Sequence, residues 1–183
     1  MGGKVKKILT SVACGASLFV AMLAGGCGGN SEAELIGSAK AAMAKQDFKT
    51  ATVELKTLLQ KNVDSAEAHY LLGLVLFEQG DFSGAHLELS KARDLGFSDV
   101  QLWPKLARAM LGAGKATALV TELSGKTLSV PSAQAELHTA LAAAQASLGN
   151  KQGTSDELAL ALSADPKYPW ALQTQARQTA TQG

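Results

Sequence analysis

The sequence predicts an all-α fold, a solenoid of stacked antiparallel helix pairs. Three observations predict it. Matched positions recur at a spacing of 34 residues, as in Asp47-Phe48 and Asp81-Phe82. The chain is rich in helix-forming Ala and carries only 4 Pro in 183 residues. No stretch shows the sustained apolar–polar alternation of a half-buried strand.

Residues 1–26 stand outside that fold. Lys4, Lys6 and Lys7 precede an apolar stretch from Ile8 to Ala24, which ends in small residues before Cys27. A basic start, an apolar middle and a small-residue end make the layout of an export signal. The apolar stretch is slightly long for a signal and slightly short for a membrane span. The run Leu23-Ala24-Gly25-Gly26-Cys27 resembles the bacterial lipobox, in which the Cys thiol is acylated and becomes the new N-terminus. Leu23 stands one position further from the Cys than is usual there. The resemblance implies lipidation at Cys27 and a membrane anchor of several acyl chains, each buried methylene adding about 0.8 kcal/mol. Gly28 rather than Asp follows Cys27, which by the same resemblance implies an outer-membrane lipoprotein facing the periplasm. A secreted or inner-membrane-anchored chain is the alternative. Cys14 lies in the segment to be removed, so the mature chain is expected to hold no thiol pair. Residues 27–31 then read as lipidated Cys and tether, and Ser31 with Glu34 matches a capping box opening the first helix.

Residues 32–65 and 66–99 are expected to form the first two repeats. Ala51 matches Ala85, Leu55 matches Leu89, Leu58 matches Ala92, and Ala39 matches Gly73, all at the same offset. Two helices of about 14 residues and two short turns fill one such period, each helix spanning roughly 20 Å. Gly73 within a helix costs about 1 kcal/mol relative to Ala, so it marks a close approach between backbones. Phe48 and Phe82 open the second helix of each pair, where a ring can cover the seam to the next repeat. Residues 100–134 read as a degenerate third repeat. Its first helix carries Trp103, Leu106 and Ala107, and Pro104 falls early enough to be tolerated. Its second helix, in "KATALVTELSGKT", lacks the Asp-aromatic start and runs into Gly125. The frame returns in a fourth repeat at 135–168, through His138, Leu141, Ala142, Leu158 and Ala161 to the stop at Pro166. Residues 169–183 read as the first helix of a fifth unit, the chain stopping before its partner helix.

Self-similarity at this period is the signature of the tetratricopeptide helix-turn-helix repeat. The resemblance implies a right-handed solenoid whose first helices line a concave groove. Ile36, Lys40, Met43, Tyr70, Leu74, Phe77, Arg108 and Leu111 occupy positions that tend to face it, giving an apolar peptide groove with a basic rim; the alternative is that the neighbouring repeat, or further C-terminal sequence, covers these side chains. Some family members clamp a C-terminal carboxylate with a Lys/Asn set. Here Ile36, Tyr70, Pro104 and Thr139 stand where its Lys would be.

No catalytic constellation is expected, and no metal site or cofactor. His69 and His138 share one repeat position, held by Trp103 in the third unit. They read as packing residues two repeats apart, too distant to share a metal. "GAGKAT" at 112–117 falls short of a phosphate loop: Ala109 and Ala116 stand where Gly and Ser or Thr are required. Beyond the leading lysines the body has 14 basic and 16 acidic residues. A near-neutral body offers no electrostatic footprint for nucleic acid.

The lipobox-like start followed by these repeats is similar to the N-terminal part of the long repeat lipoproteins of the PEP-CTERM/exosortase system (PrsT-like). The resemblance implies a non-enzymatic, lipid-anchored scaffold that binds protein or peptide partners at the cell envelope, without a small-molecule substrate. It ties the role to exopolysaccharide production and protein sorting. An outer-membrane assembly or pilotin-type lipoprotein, or the regulatory arm of a larger enzyme continuing past residue 183, are the rival expectations.

Overall fold

The computed structural model describes residues 31–180; the export-type segment and Cys27 lie outside the described residues. Among the described residues there are nine helices and no strand: α1 (Glu32–Ala44), α2 (Phe48–Lys61), α3 (Ala66–Glu78), α4 (Phe82–Asp94), α5 (Leu102–Gly112), α6 (Ala116–Leu123), α7 (Pro131–Ser147), α8 (Lys151–Ala164) and α9 (Pro169–Ala180). The expected helix pairs are present.

One turn design is reused between the two helices of each pair. The chain enters the left-handed region at Gln46, Gly80, Gly114 and Gly149. The next residue then donates its N–H to a carbonyl five residues back, as in Asp81 to Leu76 at 2.9 Å. This ties off the orphan carbonyls of the finished helix. That same next residue caps the helix to come. Asp47 accepts from the Thr50 N–H at 3.0 Å, Asp81 from Gly84 at 2.8 Å and Asn150 from Gly153 at 3.0 Å. At the start of α1, Ser31 and Glu34 form the expected capping box.

The third pair breaks the pattern at one residue. Lys115 stands at the cap position and makes no side-chain cap bond. A cation there also opposes the positive end of the helix dipole. The helix that follows, α6, is the shortest of the described helices at 8 residues. The next first helix, α7, is the longest at 17. It starts at Pro131, four residues ahead of the repeat boundary expected at 135. Proline at the first helical position supplies a preset φ and lacks only an N–H that would go unused.

Packing follows the pairs. Each helix packs on its partner and on the next first helix. First helices also touch their successors, in the row α1, α3, α5, α7, α9, whereas among the described residues no second helix touches another second helix. The first helices therefore line the shorter, inner side of a curved stack. A single apolar core runs through it from Leu35 to Ala144, with Leu55, Leu89, Leu106, Met110 and Leu137 fully buried. Close approach explains Gly73: a Cβ there would lie 2.6 Å from Leu89 Cγ on α4. Phe82 covers the seam as expected. Its ring rests on Gly112 of the next repeat, where an added Cβ would lie 2.5 Å from Phe82 Cγ.

Candidate functional site

The inner face gathers charge and aromatic surface around Arg108 of α5. Its guanidinium carbon lies 4.9 Å from the centre of the Phe77 ring, from α3, and 5.3 Å from that of Trp170, from α9. A guanidinium over a ring face is held by the ring quadrupole, at about 0.5–1 kcal/mol where water has access. Arg108 Nη1 also donates to Glu136 Oε1 at 3.2 Å, and Lys105 Nζ donates to the same oxygen at 3.1 Å. Four successive first helices, α3, α5, α7 and α9, thus meet at one guanidinium.

Two cations share one carboxylate, and the Glu136 side chain is only 10% exposed while Lys105 and Arg108 are 29% and 38% exposed. The cluster thus holds two cations beside two aromatic ring faces, with the carboxylates of Asp99 and Asp165 within electrostatic reach of the same side. Both tyrosines of the chain lie under its influence. Burial, then the carboxylates of Asp99 and Glu136, push the Tyr70 phenol up to about 12. Burial and Glu136 do the same for Tyr168, again to about 12, against the opposing pull of Arg108.

The groove residues expected from the sequence fall into different settings. Phe77 and Arg108 come together as described. Tyr70 is buried, 9% exposed, because Phe97 stacks on its ring with centroids 4.3 Å apart. Lys40 is exposed and engaged with Glu67 of α3 at 2.6 Å. Ile36, Met43, Leu74 and Leu111 are half-buried against the core. Of the positions of the family's carboxylate clamp, Thr139 is fully buried and Pro104 is buried, so both face inward.

Glu136, Lys105, Trp170 and Tyr168 are absent from the sequence-derived set. A signal for the first existed. Lys40 and Arg108 hold one repeat position, Glu67 and Glu136 another, and each basic residue bonds the acidic one on the next first helix. The second and fourth repeats share a further device. His69 Nδ1 lies 2.5 Å from Glu88 Oε2, and His138 Nδ1 lies 2.6 Å from Glu157 Oε2. Each buried imidazole ties a first helix to its partner, so its packing role includes a hydrogen bond. Among the described residues no three His, Cys, Asp or Glu side chains come close enough to hold a metal ion. No described helix is long and apolar enough to cross a membrane. The 112–117 segment is a turn at Gly114 between two helices.

No family model and no curated protein sequence matches the chain. Solved structures do. YrrB, described as a TPR protein with an unusual peptide-binding site, superposes with a TM-score of 0.65 at 16% identity, over 83% of this chain and 78% of that one. MamA superposes with a TM-score of 0.69 at 18% identity, over 83% of this chain and 82% of that one. An O-GlcNAc transferase of Thermobaculum terrenum matches with a TM-score of 0.57 at 23% identity, over 77% of this chain but 28% of its own. TTC0263, a thermophilic TPR protein of Thermus thermophilus, matches at 0.54 and 19% identity, over 82% of this chain and 81% of that one. The likeness is one of fold, and it agrees with the 34-residue period and the reused turn: the described chain is an α-solenoid of tetratricopeptide-type helix pairs.

Proposed function

We propose that the chain is a non-enzymatic scaffold that binds protein or peptide partners on the inner face of its solenoid, at and around Arg108. The observation that carries this reading is the convergence of four first helices on a half-exposed guanidinium with two aromatic rings and a second cation, Lys105, beside it. Such a surface recognises a carboxylate-bearing, partly apolar segment laid along the groove. It has no enclosed arrangement of nucleophile and base. The peptide-binding site named for YrrB lends support by analogy of fold alone.

The same reading places the scaffold at the bacterial envelope, anchored through an acylated Cys27. It links the protein to exopolysaccharide and PEP-CTERM sorting through the resemblance of its lipobox-like start and repeats. The match to under a third of the O-GlcNAc transferase supports a second reading, an arm attached to a larger catalytic protein. Capture of envelope partners tests the first. Arg108→Ala is expected to weaken partner retention on an affinity column about tenfold while the helical circular dichroism stays unchanged, as for an interface anchor worth over 1 kcal/mol. Undiminished retention would remove the inner face from the binding site. Membrane association of Cys27→Ala equal to that of the native chain would remove the anchor.

A further inference from the structure

The junction between the fourth repeat and α9 lacks the plugs that fill an earlier junction. In the second repeat, Phe77 at the end of α3 and Phe82 at the start of α4 meet edge to face, 5.3 Å apart and at 70°, and Leu74, about one turn before Phe77, packs on the core. They fill the space against α5. The first repeat places Met43 and Phe48 in the same register, also packed on the core. The fourth repeat, 69 residues after the second, has Ala143, Ala146 and Lys151 in those three places. The result is an open pocket of about 470 Å³ between α7, α8 and α9. An apolar cavity of about 150 Å³ accepts a benzene ring, so this one has room for the two rings that are missing.

Its lining defines what it takes. Ala143 and Ala146 form an apolar wall. Thr154 and Thr174 are buried in the floor, and their hydroxyls donate to the carbonyls of Asn150 and Trp170, each at 2.8 Å. Neither hydroxyl is left in search of a partner. Lys151 and Arg177 stand at the rim, both exposed. Among the described residues neither has a carboxylate within ion-pair distance. Arg177 occupies the repeat position of Lys40 and Arg108, each of which has a Glu on the following first helix.

We propose that this pocket is a docking site for aromatic side chains of an acidic peptide segment, the rings replacing the absent phenylalanines and the acids meeting Lys151 and Arg177. It rests on the reading of the inner face as a peptide surface and names the partner's chemistry. The probe is an acetylated, amidated pentapeptide alternating aspartate and phenylalanine, with its alanine counterpart as control. Binding to the full chain is followed by backbone amide shifts in NMR and by calorimetry. Shifts are expected at Ala143, Ala146, Thr154 and Thr174, with at least tenfold weaker binding of the alanine peptide. Lys151→Glu or Arg177→Glu, both at exposed sites, should weaken the phenylalanine peptide about fivefold each at low salt. The double variant Ala146→Phe with Lys151→Phe restores the plugs, and should abolish binding while raising the thermal midpoint. Equal affinity of the two peptides, or undiminished binding by the plugged variant, overturns the proposal. Shifts confined to Arg108, Phe77 and Trp170 overturn it too, while leaving the inner-face reading standing. If the plugged variant instead loses a concentration-dependent dimer in sedimentation, and no peptide binds the native chain, a second copy is the occupant and the proposal falls.

Discussion

Gly73 and Gly37 both lie inside helices, and replacing each by Ala should move stability in opposite directions. Gly37 is exposed in α1, with nothing within 4 Å of an added Cβ. There Gly37→Ala gains only helix propensity and reduced unfolded-state freedom, a stabilisation of about 0.5–1 kcal/mol. Gly73→Ala gains the same but puts its Cβ 2.6 Å from Leu89 Cγ and 2.9 Å from Leu89 Cδ2. Ordinary carbon contacts are about 3.5–4.0 Å, so the overlap is about 1 Å. A new rotamer for Leu89 does not remove it all, since the Leu89 backbone nitrogen is itself 3.2 Å away. The helices α3 and α4 must separate, at an overpacking cost of about 1–3 kcal/mol. The net expectation is a loss of about 1–2 kcal/mol, read as a fall of roughly 0.5–1 M in the urea midpoint. A double-mutant cycle isolates the cause. Leu89→Ala removes Cγ and Cδ2 and leaves only the 3.2 Å contact with the backbone nitrogen, which the propensity gain offsets, so Gly73→Ala in that background should cost close to nothing, a coupling of about 1–2 kcal/mol. Should Gly73→Ala stabilise the chain as Gly37→Ala does, or cost the same with and without Leu89, close approach is not what keeps glycine there.

Two further outcomes follow from the caps and the tyrosines. Lys115→Asp gives α6 the carboxylate cap that α2 and α4 possess, and should raise stability by about 1 kcal/mol; hydrogen exchange of the α6 amides would slow in step, and unchanged exchange would refute the capping argument. The chain's 2 tyrosines, Tyr70 and Tyr168, are both held protonated up to about 12. In the unfolded chain they ionise near ~10, so the folded form binds more protons between those values and stability falls as pH rises through that window. Spectrophotometric titration should show little phenolate at pH ~10 while circular dichroism is still native; about half of the full phenolate signal there, the level of free phenols, would contradict the shielding of the two rings.

Much of this architecture is legible in the sequence because its turns are chemical and local. In three of the four pairs a left-handed residue followed by Asp or Asn announces the second helix, and these three positions fix the register of the pairs. Gln46 uses that conformation without being glycine, so the first turn is recognised through its likeness to the second. The start of α7 was available too, in Pro131, yet a frame set by period alone points to 135. What local pattern does not carry is convergence. Trp170 reaches Arg108 across an intervening helix, and that depends on the accumulated rotation from α5 to α9. Tyr70 sits in a groove position but is covered by Phe97. That ring is placed by the Gly96 turn after α4, where the Phe97 N–H bonds the Ala92 carbonyl at 2.9 Å. A side chain's exposure is thus decided by a loop that helical periodicity does not describe.

The row of touching first helices and the gaps between the second helices have a mechanical consequence. Tension along the stack opens the outer gaps before it separates the inner row, so the array behaves as a fan pivoting on α1, α3, α5, α7 and α9. Its stiffness is uneven. Toward the C-terminal end, Phe77, Arg108, Glu136 and Trp170 strap several blades together, whereas α1 and α3 are fastened at two separate points, by the exposed Lys40–Glu67 contact and by the Ser65 hydroxyl donating to Glu32 at 2.6 Å. The strapped end is therefore the part of the fan that holds its curvature most firmly.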